Sequence, residues 1–302
     1  TADPGTAVML LPDGTQATPR PMLDEHFDYA YYGRAEGERR ELNTGTVYMV
    51  VLPVAHNFSL SSPGIIGTLS SGGTVVLCES PSSDEAFELI EREKVTLTAL
   101  VPALLAQWLE AAEWEDADIS SLRFIQVGGA AVDPGLAARV NPVMGCKLQN
   151  VFGTAEGLIC MTNIDDPMEL VCNTHGYPIC PADELRFVDA EGNDVPEGKE
   201  GELLVRGPYT IHGYYRNPEV NGTALTKEGF YRTGDLAVPV AGGYIRVCGR
   251  IKDQINRCGE KLAPIEIESH IRELDGVSDD VVVGLPDRAR GERICAWVRA
   301  AE

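Results

Sequence analysis

The stretch VTLTALVPALLAQWLEAAEWEDADISSLRFIQVGGAAVDPGLAARV, residues 95–140, alternates two hydrophobic periods. Thr96–Val101 is a short apolar run, as in a strand buried on both faces. Pro102 then stands at the first position of a helix, where its missing N–H is not needed. Arg123–Val127 repeats the strand pattern, and a second helix is predicted from Pro134. Strand and helix alternating at this spacing make βαβ units, and so a largely parallel sheet.

Outward from there the pattern continues. Val47–Val54 and Thr74–Cys78 are predicted as earlier strands, the second followed by a helix capped by Ser82 or Ser83, with Glu85 and Glu88 in its early turns. Cys146–Phe152 is a fifth strand. After about Asp165 the texture changes. Glu184–Val188, Gly201–Arg206 and Gly243–Cys248 are short strands divided by turns, with the polar segment EGNDVPEGKEGE among them. A loop then leads into an amphipathic helix near Pro264, and Val281–Gly284 and Ile294–Val298 complete the series as strands. The expected fold class is α/β. A βαβ parallel-sheet subdomain covers residues 1–165, a smaller, mostly antiparallel β subdomain covers 166–249, and the start of a small α+β C-terminal domain covers 250–302.

Composition narrows the function. The 302 residues carry 46 acidic and 25 basic side chains, a net charge of −21, and the sequence pI is near 4.6. A nucleic-acid or anionic-membrane binder needs a cationic footprint, and none is visible, so neither partner is expected. The longest apolar run, Val47–Ala55, is broken by Pro53 and too short to span a bilayer. No basic segment precedes the first apolar stretch, so no secretory signal is read and a cytoplasmic location is expected. The eight cysteines form no C-x-x-C pair. Cys172 and Cys180 with His175 between them do not make a zinc site, and scattered reduced thiols are the expectation.

Five stretches offer chemistry, each beside a plainer reading. QVGGAAV (126–132) puts Gly128, Gly129 and Ala130 at a strand end, where a flat ring could lie on bare backbone; it also reads as a tight βα turn. NVFGTAEG (150–157) supplies an aromatic face at Phe152, a hydroxyl at Thr154 and a carboxylate at Glu156 that could hold Mg²⁺, or simply a core Phe and a surface Glu. YRTGDL (231–236) is read as a turn delivering Asp235, which could accept from the two hydroxyls of a ribose or simply be a structural turn residue. GRIKDQINRCGEK (249–261) concentrates two arginines and two lysines in an acidic chain, suited to phosphate or carboxylate, or is simply a polar linker. AHNFSLSSPG (55–64) clusters His56, Asn57, Phe58 and Ser62; Asn57 can donate and accept, although a His–Asn helix cap is equally natural.

In the order FDY, AHNFSLSSPG, VGGA, FGTAEGL, GELLVRGPYT, YRTGDL, GRIKDQINRCGEK, these stretches resemble the adenylate-forming superfamily of acyl- and aryl-CoA ligases, luciferases and adenylation domains. Within it the chain is most similar to the stand-alone aryl-acid AMP ligases of siderophore biosynthesis. The resemblance implies that Gly128, Gly129, Ala130, Phe152, Gly153 and Thr154 border the adenine of ATP, that Glu156 helps hold Mg²⁺, and that Asp235 binds the ribose. Arg250 would contact the ribose–phosphate region and Lys252 would be the hinge of the small domain. In the acyl pocket, His56 would flank the carboxylate and Asn57 would bind the 2-hydroxyl of the ring, with Phe58, Ser62, Gly129, Gly153 and Ile159 shaping the rest. Amino-acid-activating relatives carry Asp at the position of Asn57, so Asn implies a substrate without an amine. Ser62 points to a dihydroxybenzoate and Ile159 to a monohydroxy ring.

The implied function is ATP-dependent conversion of 2,3-dihydroxybenzoate or salicylate to an aryl-AMP, then transfer to the phosphopantetheine arm of an aryl carrier protein. Two departures stand out. Where the superfamily has a glycine-rich phosphate loop, this chain has PDGTQATPR (12–20), with Gly14 alone of three glycines, Arg20 in place of Lys, and an added Asp13. The superfamily's N-terminal portion and C-terminal catalytic lysine are also not matched. The alternative reading is a catalytically impaired homologue that binds aryl acid, adenylate or carrier without turnover.

Overall fold

The computed structural model describes residues 5–11, 20–130, 132–257, 260–287 and 291–300. The departing phosphate-loop stretch therefore lies outside the described residues, apart from Arg20. The chain divides into two compact units, Thr1–Glu184 with Val205–Tyr231, and Leu185–Leu204 with Arg232–Glu302.

In the first unit, β1 (Thr6–Leu10) pairs antiparallel with β2 (Met22–Glu25), which runs into α1 (His26–Arg39). The main sheet starts with β3 (Val47–Val50), linked through the short helices α2 (Asn57–Ser61) and α3 (Gly64–Ser70) to β4 (Thr74–Leu77). Then α4 (Ser83–Glu93), β5 (Leu97–Leu100), α5 (Pro102–Ala111), β6 (Phe124–Val127), α6 (Pro134–Met144) and β7 (Lys147–Thr154) alternate as expected. After β8 (Leu158–Met161), α7 (Met168–Asn173) and β9 (Tyr177–Pro178), the sheet order is β4-β3-β5-β6-β7-β8-β9. Pairing is parallel from β4 to β7 and antiparallel from β7 to β9. Later in this unit comes α8 (Pro218–Ala224).

Buried side chains of β5 and β6 meet α4, α5 and α6 in one core, where Phe87 and Trp108 pack edge to face with centroids 5.3 Å apart. The strand expected over Val47–Val54 stops at Val50. Pro53 cannot donate to a ladder, so the chain leaves the sheet and turns towards α2.

A second sheet has the order β10 (Glu184–Val188), β11 (Gly201–Arg206), β12 (Tyr231–Val240), β13 (Tyr244–Arg250), and belongs to the second unit except for end residues. Here one expectation is corrected: YRTGDL is not a turn but the first half of β12. Gly234 stands at φ +72° within the strand, and β12 is flanked by β11 and β13, with Asp235 and Leu236 opposite Arg250 and Gly249.

The same unit holds a third sheet with the order β15-β14-β17-β16, formed by β14 (Ile255–Arg257), β15 (Glu260–Leu262), β16 (Val277–Asp287) and β17 (Gly291–Ala300). The helix α9 (Pro264–Arg272) is tied to β16: Val282 N donates to Glu268 Oε1 at 2.9 Å, and Arg272 Nε to Asp280 Oδ1 at 2.7 Å. The two short strands expected near the C-terminus are thus one long hairpin.

Candidate active site

Strands β6 and β7 are parallel with Val127 opposite Asn150. The parallel ladder ends there; Gly129 lies two residues past the carboxyl end of β6, and Phe152 continues β7 opposite Cys160 of β8. Gly128 is buried, and a Cβ there would lie 2.8 Å from Val151 O and 3.3 Å from the Phe58 ring. Gly129, at φ +82°, and Ala130 are exposed bare backbone, and Phe152 is half-buried. His175 stands edge-on to Phe152, centroids 6.0 Å apart, and burial pushes its imidazole down to about 4, so it is neutral near pH 7. Gly153 is exposed. Thr154 Oγ1 is buried without a hydrogen-bond partner.

Glu156 occupies the turn between β7 and β8, its carbonyl accepting from Ile211 N at 2.9 Å. Gly157 makes that turn feasible: at φ +115° a Cβ would fall 2.2 Å from Tyr209 O. Glu156 Oε1 accepts from Tyr214 Oη at 2.7 Å, and the Tyr214 and Tyr231 hydroxyls are 3.2 Å apart. Burial, followed by the Glu156 charge, pushes Tyr214 up to about 12 and Tyr231 higher still, so both remain protonated donors. Asp24 on β2 is 2% exposed, and burial first, then the charges of Asp28 and Glu156, push its carboxyl up to about 7.

On the acyl side, His56 caps α2. Its Nδ1 accepts from Phe58 N at 3.1 Å, which leaves Nε2 as the ring nitrogen able to donate, on an exposed side chain. The cap and a ligand contact are therefore compatible. Asn57 Oδ1 accepts from Tyr29 Oη at 3.2 Å and Ser61 Oγ at 2.9 Å, so its amide nitrogen is the group left to donate. Phe58 packs against the buried cluster of Val151, Ile159, Tyr32 and Tyr209. Ser62, 5% exposed, donates to Glu36 Oε1 at 2.9 Å.

In the second unit, Asp235 pairs with Arg250 across β12 and β13, and Arg250 Nε donates to Asp235 Oδ1 at 2.9 Å. Asp235 N donates to Thr233 Oγ1, whose hydroxyl donates to Leu203 O at 2.9 Å, so the carboxylate stands on a fixed backbone. Lys252 is exposed on the short 3₁₀ turn Ile251–Asp253.

The structure thus gathers Gly128, Phe58 and Ile159 around one apolar cluster and joins Asp235 to Arg250. Sequence reading missed the groups that hold these side chains: Tyr29 and Ser61 on Asn57, Tyr214 on Glu156, Glu36 on Ser62. Tyr29 sits inside the quoted motif FDY and Tyr214 lies four residues beyond GELLVRGPYT, but their partners are 28 and 58 positions away, and no local period signals such a pairing.

Among the described residues no group of three or more His, Cys, Asp or Glu side chains is arranged to hold a metal ion. One carboxylate at Glu156 with the orphaned Thr154 hydroxyl nearby in sequence fits Mg²⁺ nonetheless, since that ion takes one or two protein carboxylates and fills its shell with phosphate and water. No helix among the described residues is long and apolar enough to cross a membrane, and the seven described cysteines are free thiols.

A bare-backbone turn at the carboxyl ends of adjacent parallel strands is where open α/β sheets take nucleotides. The chain belongs to the AMP-binding enzyme family, which matches residues 12–215. It is 51% identical to pyochelin synthase PchD of Pseudomonas aeruginosa over 97% of this chain and 53% of that protein. It is 49% identical to 2,3-dihydroxybenzoate-AMP ligase of Bacillus subtilis, over 97% and 54%. Among solved structures, apo MbtA of Mycobacterium smegmatis superposes with a TM-score of 0.80 at 42% identity, covering 100% of this chain and 57% of that one. The chain therefore spans about half the length of the curated relatives it matches, and its mixed sheet with separate antiparallel sheets is the adenylate-forming fold.

Proposed function

We propose that this chain serves the ATP-dependent activation of a hydroxybenzoate-type acid, 2,3-dihydroxybenzoate or salicylate, and its transfer to the phosphopantetheine thiol of an aryl carrier protein. A carboxylate oxygen of the acid attacks the α-phosphorus of ATP, and the bond to pyrophosphate breaks, leaving an aryl-AMP. The carrier thiolate then attacks the acyl carbon and AMP departs.

Protein groups in such chemistry position reactants and offset charge. The exposed backbone of Gly129 and Ala130 and the ring of Phe152 would enclose adenine, with Gly153 and Thr154 alongside. Asp235, steadied by Arg250, would accept from the ribose hydroxyls, and Arg250 would face the phosphate side. Lys252 would be the pivot of the C-terminal segment. Glu156, fixed by Tyr214, would hold Mg²⁺, which supplies neutralisation of phosphate charge. His56, with Nδ1 engaged by the backbone, would donate from Nε2 to the acid's carboxylate, and Phe58, Ser62 and Ile159 would wall the ring.

The observation that carries this reading is Asn57. With its oxygen engaged by Tyr29 and Ser61, it offers an uncharged donor. That suits an oxygen substituent beside a carboxylate and gives an ammonium group no counter-ion. The 49% identity to a 2,3-dihydroxybenzoate-AMP ligase supports it. ATP–pyrophosphate exchange with salicylate, 2,3-dihydroxybenzoate and benzoate tests it: exchange is expected with a hydroxy acid and not with benzoate. Absence of exchange with every aryl acid removes the catalytic reading for this chain. Calorimetry with a non-hydrolysable salicyl-adenylate mimic then tells binding without turnover from no binding at all.

A further inference from the structure

The half-buried side chain of Asn221, on α8, spends its amide on the backbone of a single residue. Its Oδ1 accepts from Tyr214 N at 2.7 Å, and its Nδ2 donates to Tyr214 O at 3.0 Å. The pair gives Tyr214 what a neighbouring strand would otherwise supply, one acceptor and one donor. The helix is set for this task. Asn217 caps α8 by accepting from Val220 N at 3.3 Å, and Asn221 N donates to Asn217 O at 3.0 Å. The loop is fitted to it as well. Gly213 stands at φ +145°, where a Cβ would lie 2.7 Å from Asn221 Nδ2, so any other residue there would push the amide away.

Tyr214 is where this loop reaches the site, because its hydroxyl donates to Glu156 Oε1 at 2.7 Å. The loop is also tied by its backbone at two places. Ile211 N donates to Glu156 O at 2.9 Å, and at the start of β2 Tyr214 bridges Met22 while Tyr215 N donates to Pro21 O at 2.7 Å. A phenol points where its own backbone is held, and the Asn221 amide holds both polar groups of that backbone. We propose that Asn221 is a positioning residue for the metal site: by clamping the Tyr214 backbone it aims the hydroxyl that orients the Glu156 carboxylate for Mg²⁺. This rests on the reading above in which Glu156 holds that ion. Groups that orient a metal ligand are worth roughly 10–100-fold in metal affinity.

Calorimetry of ATP binding to this chain across a Mg²⁺ titration tests the proposal. Tyr214→Phe, which removes the hydroxyl, should raise the Mg²⁺ concentration at half-saturation roughly tenfold, and Asn221→Ala roughly fivefold. ATP affinity in EDTA should stay within about twofold for both. The double variant should lie within about twofold of Tyr214→Phe alone, since both changes act through one hydroxyl. Asn217→Ala removes the cap of α8 and leaves the Asn221 amide in place. It should lower the Tm without moving the Mg²⁺ requirement, which separates aiming from helix stability. Asn221→Leu keeps the shape and branching without the hydrogen bonds; it should match Asn221→Ala and decides the matter if that variant does not fold. An unchanged Mg²⁺ requirement in a folded Asn221 variant, an equal rise in Asn217→Ala, or single effects that multiply in the double variant overturns the proposal. ATP binding by the wild-type chain that is indifferent to Mg²⁺ overturns it too and leaves the nucleotide reading standing; no ATP binding at all removes both.

Discussion

Asp24 shows how much one side chain can carry. It is 2% exposed, and its carboxyl is pushed from an ordinary 3.8 to about 7, with burial as the main cause and the charges of Asp28 and Glu156 behind it. A carboxyl raised in the folded state binds a proton that the unfolded chain has already released between these two values. Stability is therefore lost as pH rises from about 4 towards 7 and is not regained above it. Asp24→Asn removes the cost, so the variant should be more stable than wild type at pH 7.5 by roughly 1–3 kcal/mol. Below pH 4 the difference should all but vanish. Urea titrations at several pH values check this, and a gap that does not widen between pH 4 and 7 would count against a buried, raised carboxyl. His56 and Asn57 are legible at the same scale for another reason. Their types already state that one can cap and the other can both donate and accept, but the sequence does not say which atom of each is spent inside the protein.

At the scale of elements, the strand ends were readable because their signals are local. β-branched runs, a proline at a helix start and glycines after a strand are all decided within a few residues. The failures have the same origin. Val47–Val54 was expected to continue past Val50, and YRTGDL to turn, because pairing with a distant strand is invisible to a local pattern. The tight turn at Gly157 combines both situations. Its glycine is visible in FGTAEG, but the need for it comes from the Tyr209 carbonyl, 2.2 Å from where a Cβ would stand at φ +115°. Gly157→Ala should cost roughly 3 kcal/mol or more and loosen the Glu156 turn with it. Unchanged thermal melting would show that the turn relaxes freely.

For the whole molecule, the imbalance of 46 acidic over 25 basic side chains is the dominant long-range term. Such self-repulsion opposes compaction and is screened within about 8 Å at physiological ionic strength, against about 30 Å at 0.01 M. Raising sodium chloride from about 0.01 to about 0.15 M should therefore raise the Tm by a few degrees. A fall would mean that the ion pairs within the fold outweigh the net charge. Several of those pairs are exposed, Arg92 with Glu88 and Lys94 with Asp118 among them, and surface pairs contribute little.

The sequence by itself determined the layered α/β architecture, the glycine and aromatic residues at the strand ends, and the acidity, because composition and short-range periodicity are properties of neighbours along the chain. Only the tertiary structure decided that Tyr29 would take the oxygen of Asn57, that Tyr214 would hold Glu156, and that the buried Glu36 would accept from Ser62. Those outcomes depend on directional hydrogen bonds between residues tens of positions apart, and their geometry exists only once the sheet and its helices have packed.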